Sequence, residues 1–218
     1  MALNLDQARF NMVEQQVRTW DVLDTRVLDV LGEVPREDFT PSRYRKLAFS
    51  DLRIPLDHGQ TMMKPVEEGR ALQALSLEPG QRVLEIGTGS GFLAACMAQL
   101  GAHVVSVEIH ASLAESALAR LKRFGSARVE VINADALNEF SPNGRFDALV
   151  VTSSSRTVPD AFKDWVGPDG RLFCVRGNSP AMEAVCLSRR GERWAVDSLF
   201  ETDLPRLIGA EDPQEFDF

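Results

Sequence analysis

Apolar positions in the first third of the chain recur at three- and four-residue steps. Phe10, Val13 and Val17 begin the series, and Val22, Leu23, Val27, Leu28 and Leu31 continue it. That is the period at which one face of a helix turns inward, so the segment reads as helical up to Leu75. Pro35 and Pro41 punctuate it, and Asp21 is placed to cap a helix. Pro65 stands where a first helical turn would begin, ahead of Ala71, Leu72 and Leu75.

After Glu78 the pattern changes to short apolar runs alternating with helical ones. Pro79-Gly80 is a turn, 82–86 a strand, and 92–100 a helix stopped by Gly101. A strand over 103–107, a helix over 111–124 and strands over 129–132 and 146–151 follow, then a helix over 158–166. Pro168-Asp169-Gly170 reads as a turn before a strand at 171–176. Alternating elements of this length predict an α/β fold, a Rossmann-like, doubly wound and mostly parallel sheet. Residues 181–200 read as a hairpin around Arg190-Gly191, giving the sheet an antiparallel C-terminal edge. The expected organisation is an N-terminal helical arm, 1–76, that helps cover the active site, and one compact domain over 77–218. The acidic stretch 211–218 reads as loose.

Composition narrows the function classes. With 44% hydrophobic residues the 218-residue chain can bury a core, and no run approaches the roughly 20 apolar residues of a membrane helix. A net charge of −8 argues against a nucleic-acid partner, because such binding rests on cations neutralising phosphates. The cluster Arg43, Arg45, Lys46 reads as a solvated helix face. The start, MALNLDQARF, lacks a basic segment followed by an apolar one, so no secretory signal is expected. Cys96, Cys174 and Cys186 are scattered, which suits a reducing cytoplasm and offers no metal-ligand spacing.

The chemistry concentrates in Glu85-Ile86-Gly87-Thr88-Gly89-Ser90-Gly91, directly after one strand and before a helix. Glycines there permit a tight turn and close approach of a ligand. The spacing is GxGxG rather than the dinucleotide fingerprint GxGxxG, which disfavours an NAD-dependent oxidoreductase. An acid beside the first glycine gives nothing to a pyrophosphate, whereas it suits a cationic, amino-acid-bearing ligand such as S-adenosylmethionine. Glu108, with Ile109 beside it, ends the next strand, where an acid can accept both ribose hydroxyls. Asp135 and Ala136 follow the third strand. They are placed to meet an adenine amino group and ring, unless Asp135 merely caps the next segment.

Five segments together resemble protein-L-isoaspartate O-methyltransferases. They are VLEIGTGSGF (83–92), VPREDF (34–39), PLDHGQTMMKP (55–65), FDALVVT (146–152) and VGPDGRL (166–172). The resemblance runs over 27–176 and weakens beyond. It implies methyl transfer from S-adenosylmethionine to the α-carboxylate of an isoaspartyl residue in a damaged protein or peptide, leaving S-adenosylhomocysteine, by a monomer or homodimer. It adds Gln60 to the cofactor set and places Thr61, Met63 and Lys64 on the acceptor side. A carboxylate oxygen is already nucleophilic at neutral pH, so the work expected of the protein is alignment and exclusion of water.

The departures from the family lie mainly on the acceptor side. Met63 stands where a serine is usual, and methionine has no hydroxyl to donate. A usual alanine run is Ser153-Ser154-Ser155-Arg156-Thr157-Val158-Pro159, and a usual Gly-Asp-Gly is Ala134-Asp135-Ala136. Lys64 and Arg156 flank the expected mouth, as carboxylate partners or as solvated cations. His58 reads as a base for a less acidic acceptor or as a surface residue, and Met62 and Met63 as a pocket lining or as core. The alternatives to isoaspartyl methylation are another acceptor with the same cofactor, or a cofactor-binding module without catalysis.

Overall fold

A seven-stranded sheet organises the protein, whose computed structural model describes residues 4–211. Apart from Glu211, the stretch expected to be loose lies outside the described residues. The strands are β3 (Arg82–Ile86), β4 (His103–Glu108), β5 (Val129–Asn133), β6 (Phe146–Ser155), β7 (Val166–Asn178), β8 (Ala181–Arg190) and β9 (Arg193–Thr202). Their spatial order is β5-β4-β3-β6-β7-β8-β9. Pairing is parallel from β5 through β7 and antiparallel across the β7-β8-β9 hairpins, as the periodicity predicts. The chain leaves β3 toward β4 on one side and later takes up β6 on the other. That reversal opens a crevice at the carboxyl ends of β3 and β4, where open α/β sheets bind ligands.

Helices α5 (Phe92–Gln99) and α6 (Ala111–Phe124) make the crossovers, and α7 (Asp160–Asp164) precedes β7. Side chains alternate across β3, so each face seeds its own core. Val83 joins the arm's Val27, Leu31 and Phe39 and α5's Phe92 on one face, while Leu84 and Ile86 pack with Leu149, Phe162 and Val166 on the other. Arm and sheet therefore share one apolar cluster.

The arm departs from a simple helical reading. It contains α1 (Leu5–Met12), α2 (Thr25–Glu33), α3 (Arg36–Phe39) and α4 (Pro65–Leu75), with a π turn at Val13–Val17 and a 3-10 turn at Arg18–Trp20. A short antiparallel pair, β1 (Ile54–Pro55) and β2 (Thr61–Met62), interrupts it, which helical periodicity did not anticipate. Asp21 caps the C-terminal end of the 3-10 turn with a left-handed φ of 59° rather than starting a helix, and Asp24 caps α2 by accepting from the Arg26 amide at 2.9 Å. Phe10 and Leu23 fit the apolar period yet stand exposed, because the π turn and the loop after it rotate them off the core face. Pro65 does open α4, and Ala71, Leu72 and Leu75 are buried. Farther on, α7 is shorter than the expected 158–166. Pro168-Asp169-Gly170 lies inside β7, as an irregularity between the pairs Phe146↔Val166 and Ala148↔Arg171.

Candidate active site

The crevice is a pocket lined by the glycine loop, the ends of β4 and β6, the residues after β5, the β1-β2 strap and the segment 205–208. The loop's conformation explains its glycines. Gly87 and Gly89 have φ of 94° and 52°, and a Cβ on Gly87 would stand 2.3 Å from Thr152 Oγ1. Gly91, at φ 87°, caps α5 and brings that helix against Ala117 of α6. Thr152 Oγ1 donates to the Gly87 carbonyl at 2.7 Å and fixes the turn from β6.

Three acids stand around this loop. Glu85 is fully buried. Its Oε2 accepts from the Ser106 hydroxyl, so Thr88 Oγ1, 2.6 Å from Ser106 Oγ, donates to that oxygen in turn. Glu85 Oε1 has no partner among the described residues. Burial pushes the Glu85 carboxyl up to about 8; the Ser106 hydrogen bond opposes this, and the charges of Glu108 and Glu68 add to it. Glu108 Oε2 accepts from the Gly89 amide at 2.9 Å and Oε1 from the His110 amide at 3.0 Å. A carboxylate offers about four lone-pair sites, so half of them stay open toward the pocket. Asn133 Nδ2 donates to the carbonyls of Glu108 (2.7 Å) and Ile109 (3.0 Å), holding the end of β4 in place. Asp135 Oδ1 accepts from the Leu137 amide at 2.7 Å and Oδ2 from Asn138 Nδ2 at 2.9 Å. The capping alternative is thus realised, while Asp135 and Ala136 still line the pocket. The Asn138 side chain, together with these amides, holds the Asp135 carboxyl below its ordinary range.

The structure brings Gln60, Thr61 and Met63 into the lining of the same pocket, together with Ile109, Thr88 and Ser90. Met63 is buried, and its carbonyl accepts from Arg36 Nη2 at 2.7 Å. Arg36 is fully buried. It also donates to the Ala48 carbonyl at 2.9 Å, pairs with Glu68 and lies 4.7 Å above the Phe92 ring. The arginine of VPREDF is thus the joint between the strap, α4 and the helix after the glycine loop.

Other expected residues stand elsewhere. Lys64 does not line the pocket: it precedes α4, its amide donates to Glu67 Oε2 at 2.9 Å, and its ammonium lies 3.7 Å from Asp51. Arg156 lines a different groove, where it donates to Asn178 Oδ1 at 3.0 Å. His58 stands at the strap's exposed tip, outside the pocket lining. Sequence reasoning missed Leu56, Glu68, Ser153 and 205–208. The last of these carries no motif and reaches the pocket by pairing, with the Ser154 amide donating to the Pro205 carbonyl and that of Leu207 to the Ser154 carbonyl.

The sequence model of the family described as Protein-L-isoaspartate(D-aspartate) O-methyltransferase matches residues 8–194. The chain belongs to that family. Protein-L-isoaspartate O-methyltransferase 1 of Rhodopseudomonas palustris is 38% identical over 205 residues, covering 93% of this chain and 84% of the relative. The Methanoculleus marisnigri protein-L-isoaspartate O-methyltransferase is 37% identical over 201 residues, covering 92% and 91%. A Plasmodium falciparum protein-L-isoaspartate O-methyltransferase, solved in complex with S-adenosyl-L-homocysteine, superposes with a TM-score of 0.80 at 21% identity, covering 94% of this chain and 99% of that one. That likeness shows the shared fold. Membership bears out the enzyme class, an S-adenosylmethionine-dependent protein carboxyl O-methyltransferase, and the protein acceptor bearing isoaspartyl damage. Among the described residues, no helix is long and apolar enough to cross a membrane.

Proposed function

We propose that the pocket holds S-adenosylmethionine between Glu85, Glu108 and Asp135 and opens at Thr61 and Met63 to the α-carboxylate of an isoaspartyl residue. The observation that carries this reading is Glu85 Oε1, a buried acceptor on the wall of a glycine cradle that has no partner among the described residues. A cationic ligand supplies what that oxygen lacks. The open lone pairs of Glu108 suit ribose hydroxyls, and Ile109, Asp135 and Ala136 form the adenine end. Bound there, the cofactor supplies a methyl group on a sulfonium sulfur.

The chain's own residues then align and shield. Arg36 fixes the Met63 carbonyl and with it the acceptor wall. Leu56, Met62 and Met63 present apolar surface that keeps water from the acceptor oxygen. Met63 provides no hydroxyl, but the Ser153 Oγ on the same pocket is buried, has no partner among the described residues and is available to a ligand oxygen. No general base is required of the chain, because the acceptor is ionised before it arrives.

The arm over 1–76 acts in this reading as the active-site cover, since Leu56, Gln60 to Met63 and Glu68 reach the pocket from it. The −8 charge supports a protein rather than a nucleic-acid partner. Three buried free cysteines support a cytoplasmic location, and the reading requires no more than a monomer or homodimer. The test is methyl transfer from labelled S-adenosylmethionine to an isoaspartyl peptide and to its aspartyl twin, with cofactor binding titrated in parallel. Selective labelling of the isoaspartyl peptide is expected. Cofactor binding with neither peptide labelled overturns the acceptor assignment.

A further inference from the structure

The β1-β2 strap lies across the glycine loop. A Cβ on Gly89 would stand 3.2 Å from Leu56 Cδ1, and Leu56, Gln60 and Thr61 all line the cofactor pocket. The strap turns at 57–60, with the Leu56 amide donating to the Gln60 carbonyl at 2.8 Å. At its tip His58 leaves the arm and rests on the sheet domain. Its ring stacks on His110 with centroids 4.1 Å apart and planes 8° from parallel, and its Nε2 lies 2.8 Å from Ser112 Oγ.

This closed arrangement carries two unfavourable features. His58 adopts a left-handed φ of 58°, a conformation that disfavours a residue with a Cβ. Beneath the stack, His110 Nε2 is shut from water and has no partner among the described residues. A segment held in strain by a few contacts at one point has the design of a latch, not of a rigid wall.

We infer that His58 is a positioning residue for methyl transfer, a latch that holds the strap closed over bound cofactor through Ser112 and His110. Closure places Leu56, Gln60 and Thr61 against the ligand, and ligand contacts offset the strain at the tip. Release of S-adenosylhomocysteine requires the latch to open. The inference rests on the cofactor reading above.

The experiment is surface plasmon resonance of S-adenosylhomocysteine on wild-type protein and on His58→Ala, His58→Phe and Ser112→Ala, with thermal melts as a folding control. His58→Ala is expected to raise the dissociation rate about tenfold, the factor that one net interaction of hydrogen-bond size is worth. His58→Phe keeps a stacking ring and loses only the Ser112 bond, so it and Ser112→Ala should share a smaller rise. Melting temperatures should stay unchanged, because the tip is exposed. Wild-type binding with the His58→Ala dissociation rate unaltered overturns the latch and leaves the cofactor reading standing. Absence of wild-type binding overturns both.

Discussion

The Gly89 amide donates to the Glu108 carboxylate at 2.9 Å, so the second glycine of the loop and the acid ending β4 form one unit. Neither is independently placed. The acid holds the loop that shapes the pocket, and the loop orients the acid whose remaining lone pairs face the ligand. Glu108→Ala therefore removes ligand contacts and a loop support together. Cofactor binding is expected to weaken by roughly 1.5–3 kcal/mol, the range for buried hydrogen bonds to a charged group. Calorimetric titration checks this, and an affinity unchanged within error would make Glu108 a loop support alone.

The two glycines predict different severities. Gly87→Ala places a methyl 2.3 Å from Thr152 Oγ1 at a φ of 94°, where both the hydroxyl and the turn must give way. The strained backbone alone costs about 1–3 kcal/mol, and a lowered melting temperature with lost cofactor binding is expected. Gly89→Ala meets only Leu56 Cδ1 at 3.2 Å. Its effect should fall mainly on affinity, with a smaller loss of stability in the same melts.

Arg36 and Glu68 are a buried ion pair, and removing one partner leaves the other charge stranded. Arg36→Met is expected to destabilise the fold by about 3–5 kcal/mol in urea unfolding. Arg36→Met combined with Glu68→Leu leaves no stranded charge and should recover part of the loss. The double variant should stay catalytically impaired, because the Met63 carbonyl has lost its donor. Full recovery of activity would make Arg36 a stability element only.

Glu85 makes stability and binding depend on pH in opposite directions. Its carboxyl rises from 4.5 to about 8 on folding, so between those values the native state holds a proton that the unfolded chain has released. The ligand-free protein should therefore lose stability as pH rises through that window and level off above it. A cationic cofactor favours the ionised carboxylate, so affinity should climb toward pH 8. Glu85→Gln should flatten the binding trend but only part of the stability trend, because burial pushes the Glu68 carboxyl up to about 8 as well. Titrations and melts across the window decide this, and a cofactor affinity constant across it would remove Glu85 from the cation's surroundings.

The legible parts of the molecule were those set by local pattern. The strand at Arg82–Ile86, the helix at Ala111–Phe124 and the hairpin about Arg190 follow from period and turn chemistry within their own segments. The glycine loop, Glu108 and Asp135 line one pocket, and that convergence was legible because each sits at a fixed place relative to such an element. What escaped depends on distant partners. Pro205 to Ile208 reach the pocket only because β6 offers them a pairing edge at Ser154, some fifty residues away. Lys64 looked like a mouth cation, but α4 begins beside it and Asp51 takes its charge. Phe10 kept the helical period and still faces water, because a π turn follows it. Period alone cannot register such a change of winding.

The antiparallel end of the sheet bears on how the protein behaves in a crowded solution. β9 is a terminal strand of ten residues, with one side of its backbone unpaired with any other strand among the described residues. An unpaired strand edge of that length invites another molecule to add to it. Arg193, Asp197 and Glu201 recur along β9, and its pairing with β8 slips between Ala184 and Val185, which bends the ribbon. An incoming strand would have to match that bend and bury those charges. The same hairpin that completes the fold thus guards its open edge against aggregation.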